Sequence, residues 1–220
     1  MIDFYIYVSL LIIVFVLLIT ALYLTRLAPK KIKTITIFII LAMLLRYFSL
    51  LVLFLAHNIK YLYLLKTFFF LHLISVPLLA LTVLYVFVRK DNVKFSYIFI
   101  IASILLGLYA AAMYKCPGFL QSTKNYGYTM FFSEHMYIYW IYIVVNTILL
   151  FLAIGLISKK NIIKTGMYLV AIASLVTILE LIMWTMGIEL LQEIILGDVL
   201  WVSTLVYALS KVKKRTRDLT

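Results

Sequence analysis

The sequence holds one cysteine, three prolines and eight acidic residues among 220. A single Cys116 excludes an intramolecular disulfide. It leaves a free or intermolecular thiol, or simply a small apolar residue. Charged residues make up 13% of the chain, about half the usual share of a soluble domain, roughly 25%. Against 66% hydrophobic residues and a mean hydropathy of +1.16, that shortage excludes an aqueous globule, which could not cover so much apolar surface. His57, His72 and His135 stand singly, without the spacing of metal ligands, so no metal site is expected. HExxH, GxSxG and P-loop motifs are missing. So are the paired glutamates and histidines of intramembrane metalloproteases. The last apolar run has no lysine to carry a retinal Schiff base. The expectation is therefore a non-enzymatic protein without a cofactor.

What the chain does have is long apolar runs. A helix rising about 1.5 Å per residue needs about 20 residues to cross the hydrocarbon of a bilayer, and a membrane barrel would show short alternating segments instead. Seven spans fit that ruler, at about 2–25, 34–56, 61–88, 95–114, 136–158, 165–187 and 190–210. The expected fold class is all-α, a polytopic membrane protein built as a bundle of seven transmembrane helices. Residues 1–210 form the helical domain and 211–220 a basic tail. The first run carries Asp3 rather than a positive charge, exceeds the length of a signal-peptide core and lacks a small-residue cleavage site. It reads as a retained span.

The net charge of +12 invites a nucleic-acid reading, but its distribution argues for topology instead. Arg26, Lys30, Lys31 and Lys33 follow span 1. Arg89, Lys90 and Lys94 follow span 3, and Lys159, Lys160 and Lys164 follow span 5. Lys211, Lys213, Lys214, Arg215 and Arg217 follow span 7. These are 15 of the 20 Lys and Arg, all on one side. Cytoplasmic loops carry the excess of basic residues, so the N-terminus is expected outside and the C-terminus inside. Asp3, Glu134, Glu189 and Glu193 then fall outside. The inner loops are short and the tail, KVKKRTRDLT, leaves no room for a soluble catalytic domain. Its charges suit anionic headgroups at about 1 kcal/mol each, or a cytoplasmic or membrane protein partner. No nucleic-acid partner is expected.

The one substantial loop, 115–135, lies outside and is punctuated by Pro117, Gly118 and Gly127. Tyr126, Tyr128 and Phe131, with Glu134 and His135, are candidates for a lid over a ligand cavity. An interfacial aromatic belt explains the same residues.

Four ionisable side chains fall inside the spans. Counted from the inner end of each span, Arg46 and Asp198 sit about 18 Å deep, Glu180 about 22 Å and His72 about 24 Å. One layer therefore draws on spans 2, 3, 6 and 7. A buried charge must be paired or face water, so Arg46 is expected to meet a carboxylate, Glu180 first and Asp198 second. The semi-polar stripes Arg46/Ser49, His72/Ser75/Leu79/Thr82 and Thr177/Glu180/Trp184 should turn inward, and Asn146 joins them or makes a helix-packing hydrogen bond. Lys66 sits higher and can snorkel outward. Two readings of the layer stay open: an ion pair that fixes helix packing, and a ligand or ion site.

FFFLHLISVPLLALTVLYVF, residues 68–87, has a mid-helix Pro77 and a basic turn after it. YGYTMFFSEHMYIYWIYIVVN, residues 126–146, runs from an aromatic outer loop into span 5. With the seven-span layout, these segments resemble the seven-helix sensor region at the N-terminus of some bacterial and archaeal histidine kinases. The resemblance extends over nearly the whole chain. It implies a receptor-like module in the cell membrane of a bacterium or archaeon, taking a small or lipidic ligand from outside. That family continues into cytoplasmic signalling domains, whereas this chain stops ten residues after its last span, which implies signalling through a separate partner. Arg46 also departs from the bulky apolar or aromatic residue expected there. The alternatives are a small carrier relaying protons through Glu180, Asp198 and His72, a scaffold subunit of a membrane complex, and an intramembrane enzyme acting on lipid. The paired mid-helix prolines of transporters built from two three-helix repeats have no counterpart here, since Pro77 is the one intramembrane proline.

Overall fold

The computed structural model describes residues 2–55, 59–88, 95–123, 127–132, 134–159, 162–188 and 194–217. The helices are α1 (Ile2–Thr25), α2 (Lys30–Leu55), a short α3 (Lys66–Phe69), α4 (His72–Val88), α5 (Ser96–Lys115), α6 (Tyr137–Ile157), α7 (Lys164–Thr185) and α8 (Ile195–Arg217). Seven stretches of the described residues are long and apolar enough to cross a membrane. In such surroundings every backbone N–H and C=O must be satisfied within the segment, which leaves the helix as the economical solution. Several of the hydroxyls are absorbed the same way. Thr25, Thr82, Thr147, Thr177 and Thr204 each donate to the carbonyl one turn back at 2.7–2.8 Å, so none carries an unmet donor into the apolar interior.

The third span, expected as one helix over 61–88, is broken. A 3₁₀ turn (Ile59–Leu65) leads into α3, the chain kinks at Phe70–Leu71, and α4 begins at His72. Pro77 lies inside α4. It has no N–H to offer the Leu73 carbonyl, and its ring crowds that carbonyl. The first turn of α4 is tightened to 3₁₀ type, with Leu73 and Ile74 N–H bonded three residues back before Ser75 bonds four back to Leu71. At the opposite extreme α8 runs on to Arg217, through much of the stretch read as a tail. Lys and Arg are good helix formers and suit the negative end of the helix dipole.

Helix α4 is the centre of the bundle. It packs on α2, α5, α6, α7 and α8, while α1 lies against α2 and α8. Leu78, Leu79, Ala80, Val83 and Phe87 of α4 are wholly buried. Helix α5 is peripheral, and Ile98 is its one buried residue. Gly166 lets α7 approach α4 closely, since a Cβ there would lie 2.6 Å from the Phe87 ring.

One end of the bundle carries a hairpin, β1 (Phe119–Thr123) and β2 (Gly127–Phe131), in antiparallel register with Phe119 opposite Phe131 and Thr123 opposite Gly127. A lone two-stranded hairpin is marginal in water; this one is docked. Gly127 has φ +74°, and a Cβ there would come within 2.7 Å of the Leu53 carbonyl at the end of α2. Just past β2, Phe132 is fully buried and stacks on Phe70 at 3.9 Å between centroids.

Candidate functional site

The hairpin closes over the layer of ionisable residues. Arg46, on the inward face of α2, is 1% exposed, and its Nη1 lies 2.6 Å from Asp198 Oδ2 in the first turn of α8. Tyr47, the next residue on α2, donates its hydroxyl to the same Oδ2 at 2.8 Å. Asp198 is thus held by one cation and one neutral donor, the kind of supplement a desolvated ion pair requires. The second-ranked carboxylate is the one that pairs with Arg46.

Glu180, ranked first, does something else. Its Oε1 accepts the N–H of Leu196 at 3.0 Å and its Oε2 the N–H of Gly197 at 2.6 Å. Those two groups belong to the first turn of α8, where no carbonyl within the helix can satisfy them. A carboxylate from α7 therefore caps α8 from outside and sits at its positive end. Gly197 permits the approach. A Cβ there would lie 3.0 Å from Glu180 Oε2 and would collide with the Thr177 hydroxyl.

His72 starts α4 just after the kink and is 4% exposed. Its Nδ1 lies 3.4 Å from the Phe69 carbonyl, and its Nε2 has no hydrogen-bond partner among the described residues. With Nδ1 as the donor, Nε2 is an acceptor. Arg46 and His72 share a cavity of about 20 Å³ whose walls include Phe70, Tyr139, Trp184 and, from β2, Thr129 and Met130. That is room for about one water, which needs roughly 10–15 Å³. Tyr139 packs on Trp184 at 4.5 Å, and its hydroxyl accepts the Phe132 N–H at 3.2 Å.

All four members of the layer thus converge. The stripes also turn inward, with Ser49, Ser75, Thr82 and Thr177 buried. Asn146 is buried and donates Nδ2 to the Tyr142 carbonyl at 2.9 Å within its own helix. Lys66 does not snorkel freely. Its Nζ donates to the carbonyls of Met113 at 2.8 Å and Cys116 at 2.5 Å, at the negative end of α5.

The lid residues divide differently from the expectation. Thr129, Met130 and Phe132 are buried. Tyr128 and Phe131 are half-buried, and Phe131 sits 6.2 Å from Phe119 across the hairpin. Glu134 is exposed, and His135 packs beside the Tyr137 ring at 5.4 Å. Tyr126 lies outside the described residues, as do Glu189, Glu193, Arg89, Lys90, Lys94 and Lys160. Strand alternation puts Met130 on one face of β2 with Phe132 continuing its parity, while Thr129 is on the opposite face and is buried as well, so alternation alone does not select the set and the loop sequence did not reveal it. Tyr47 was also missed. Its only signal is adjacency to Arg46, about 100° round the helix.

Tyr47→Phe tests the network without creating a cavity. Hydrogen bonds to charged groups are worth about 1.5–3 kcal/mol. A loss of that size is expected in denaturant unfolding of the detergent-purified protein; unchanged stability would mean the hydroxyl does not support Asp198.

The chain matches no protein-family model and gives no significant match to a curated protein.

Proposed function

We propose that the chain is a receptor-like module of the cell membrane, with its N-terminus and hairpin outside and its C-terminus in the cytoplasm. It takes a small ligand from the outer side and passes the signal to a separate protein partner through the basic inner face. The observation that carries this reading is the hairpin seated over Arg46 and an unpartnered His72 Nε2. A cation and an acceptor in a cavity walled by aromatic side chains and covered by the hairpin suit a ligand with an anionic or carbonyl group for Arg46 and an O–H or N–H for His72. The cavity is small as it stands, so binding requires the hairpin to lift from Phe70, and that displacement is the natural signal. The basic clusters support the orientation, and the resemblance to seven-helix sensor regions points the same way.

A carrier is the second reading, because His72 shares a cavity with Arg46, which pairs with Asp198, and Glu180 caps the same turn of α8 that carries Asp198. What favours one-sided access is the packing beyond the layer. Ile39, Leu79, Val83, Phe87 and Met167 are at 0% exposure and Leu205 at 1%, an apolar plug towards the basic end.

The test is a thermal-stability screen of the purified protein against small organic acids, amino acids and fatty acids. A ligand at about 100 times its Kd should stabilise the fold by about 2.7 kcal/mol. Arg46→Lys keeps a cation for Asp198 but loses the planar fork, and should weaken the response. Stabilisation by no compound, together with proteoliposome uptake abolished in Glu180→Gln, would replace the receptor with the carrier.

A further inference from the structure

A second, larger cavity lies between α5 and α6 with α4 as its floor. Its volume is about 370 Å³, within the range of ligand sites, about 300–1,000 Å³. Leu73 and Pro77 form the floor, and Leu105, Leu108 and Ala112 of α5 face Ile141 and Val145 of α6. The gap has a structural cause. Helix α5 is tied at its hairpin end by Lys66, which holds the Met113 and Cys116 carbonyls, and by Tyr109, whose hydroxyl donates to the Thr67 carbonyl. These ties bind α5 to the third span, not to α6, and α5 packs on α4.

We infer that this groove holds one acyl chain of an anionic membrane phospholipid, with the headgroup at Lys115. Three observations select that occupant. The lining from Leu105 to Lys115 spans ten helical rises, about 15 Å along α5, which is one leaflet of a hydrocarbon core about 30 Å thick. The walls are apolar along that length, apart from the Tyr109 and Tyr142 hydroxyls. The mouth at the hairpin end is polar, with the exposed Lys115 ammonium beside Tyr137, whose hydroxyl lies 3.6 Å from Cys116 Sγ. Charge at the mouth and hydrocarbon within match a phospholipid better than a polar solute or a protein helix. Tyr142 gives the site a consequence. It lines the groove on one side and packs edge-on to His72 at 5.5 Å on the other, so an occupied groove shares a wall with the polar layer.

The experiment places the full chain in phosphatidylcholine nanodiscs. They contain a minor fraction of phosphatidylglycerol whose acyl chain carries a photoactivatable diazirine, and the adducts are mapped by mass spectrometry. Adducts should concentrate on Leu108, Ala112, Ile141 and Val145 rather than on lipid-facing Ile104 and Leu152. Lys115→Gln should reduce the preference for phosphatidylglycerol over a diazirine phosphatidylcholine about fivefold, equivalent to about 1 kcal/mol per basic side chain at an anionic surface. Ala112→Trp, which fills the groove, should remove the groove adducts, and Leu152→Trp should not. Adducts spread evenly over all lipid-facing helices would overturn the proposal, as would groove adducts with no headgroup preference. The wild-type map and Lys115→Gln decide the matter even where Ala112→Trp fails to fold.

Discussion

Arg46→Ala is expected to destabilise the bundle by about 3–5 kcal/mol, the cost of leaving one member of a buried pair unpartnered. Asp198→Ala should cost a similar amount. The double variant Arg46→Leu/Asp198→Leu should recover most of either loss, because no charge then remains in the interior. The pair has the features that make single removal costly. Both side chains are 1% exposed, their atoms are 2.6 Å apart, and the Tyr47 hydroxyl completes the Asp198 shell. Denaturant unfolding of the purified protein in mixed micelles gives the three losses, and the coupling follows from their non-additivity. Coupling of Arg46 to Glu180→Ala should be smaller, since that carboxylate is engaged by backbone N–H groups. Additive losses for Arg46 and Asp198 would mean that the two side chains do not meet.

The second large effect is expected at a residue with no side chain. Gly197→Val should cost roughly 2–4 kcal/mol, combining overpacking with loss of a helix cap. Its Cβ would press on Thr177 and on Glu180 Oε2, 3.0 Å away, and would push α8 off the carboxylate that caps it. Gly155 and Gly107 supply the contrast. A Cβ at either meets nothing within 4 Å, so Ala there should be neutral or stabilising by up to about 1 kcal/mol through helix propensity. If Gly197→Val is as benign as Gly155→Ala in the same unfolding assay, α7 and α8 are not in the contact described.

Much of the architecture was legible because it depends on local, additive properties. Seven apolar runs were readable from length and hydropathy alone, and so was the inward turn of Ser75 and Thr82, from helical periodicity. That Arg46 would meet a carboxylate from another span was readable because a buried charge must be paired, and Asp198 is the one at 2.6 Å. The break at Phe70–Leu71 was not, although Pro77 was in view. A proline shows that a helix is weakened, while the packing above it decides where the chain yields. The lid was recognised as a loop, but its buried residues were not, since the burial of Thr129, Met130 and Phe132 follows from how β2 docks on α2 and Phe132 on Phe70 rather than from a sequence period.

The sequence by itself determined that this chain forms seven apolar helices with a shared layer of ionisable residues. Burial of charge and satisfaction of the backbone leave few other solutions. Only the tertiary structure decided which carboxylate answers Arg46. Depth along an axis is local, but the azimuth and axial offset of α7 and α8 relative to α2 are not. Those offsets place the start of α8 against Glu180, which spends that carboxylate on the helix end and leaves Asp198 facing the guanidinium.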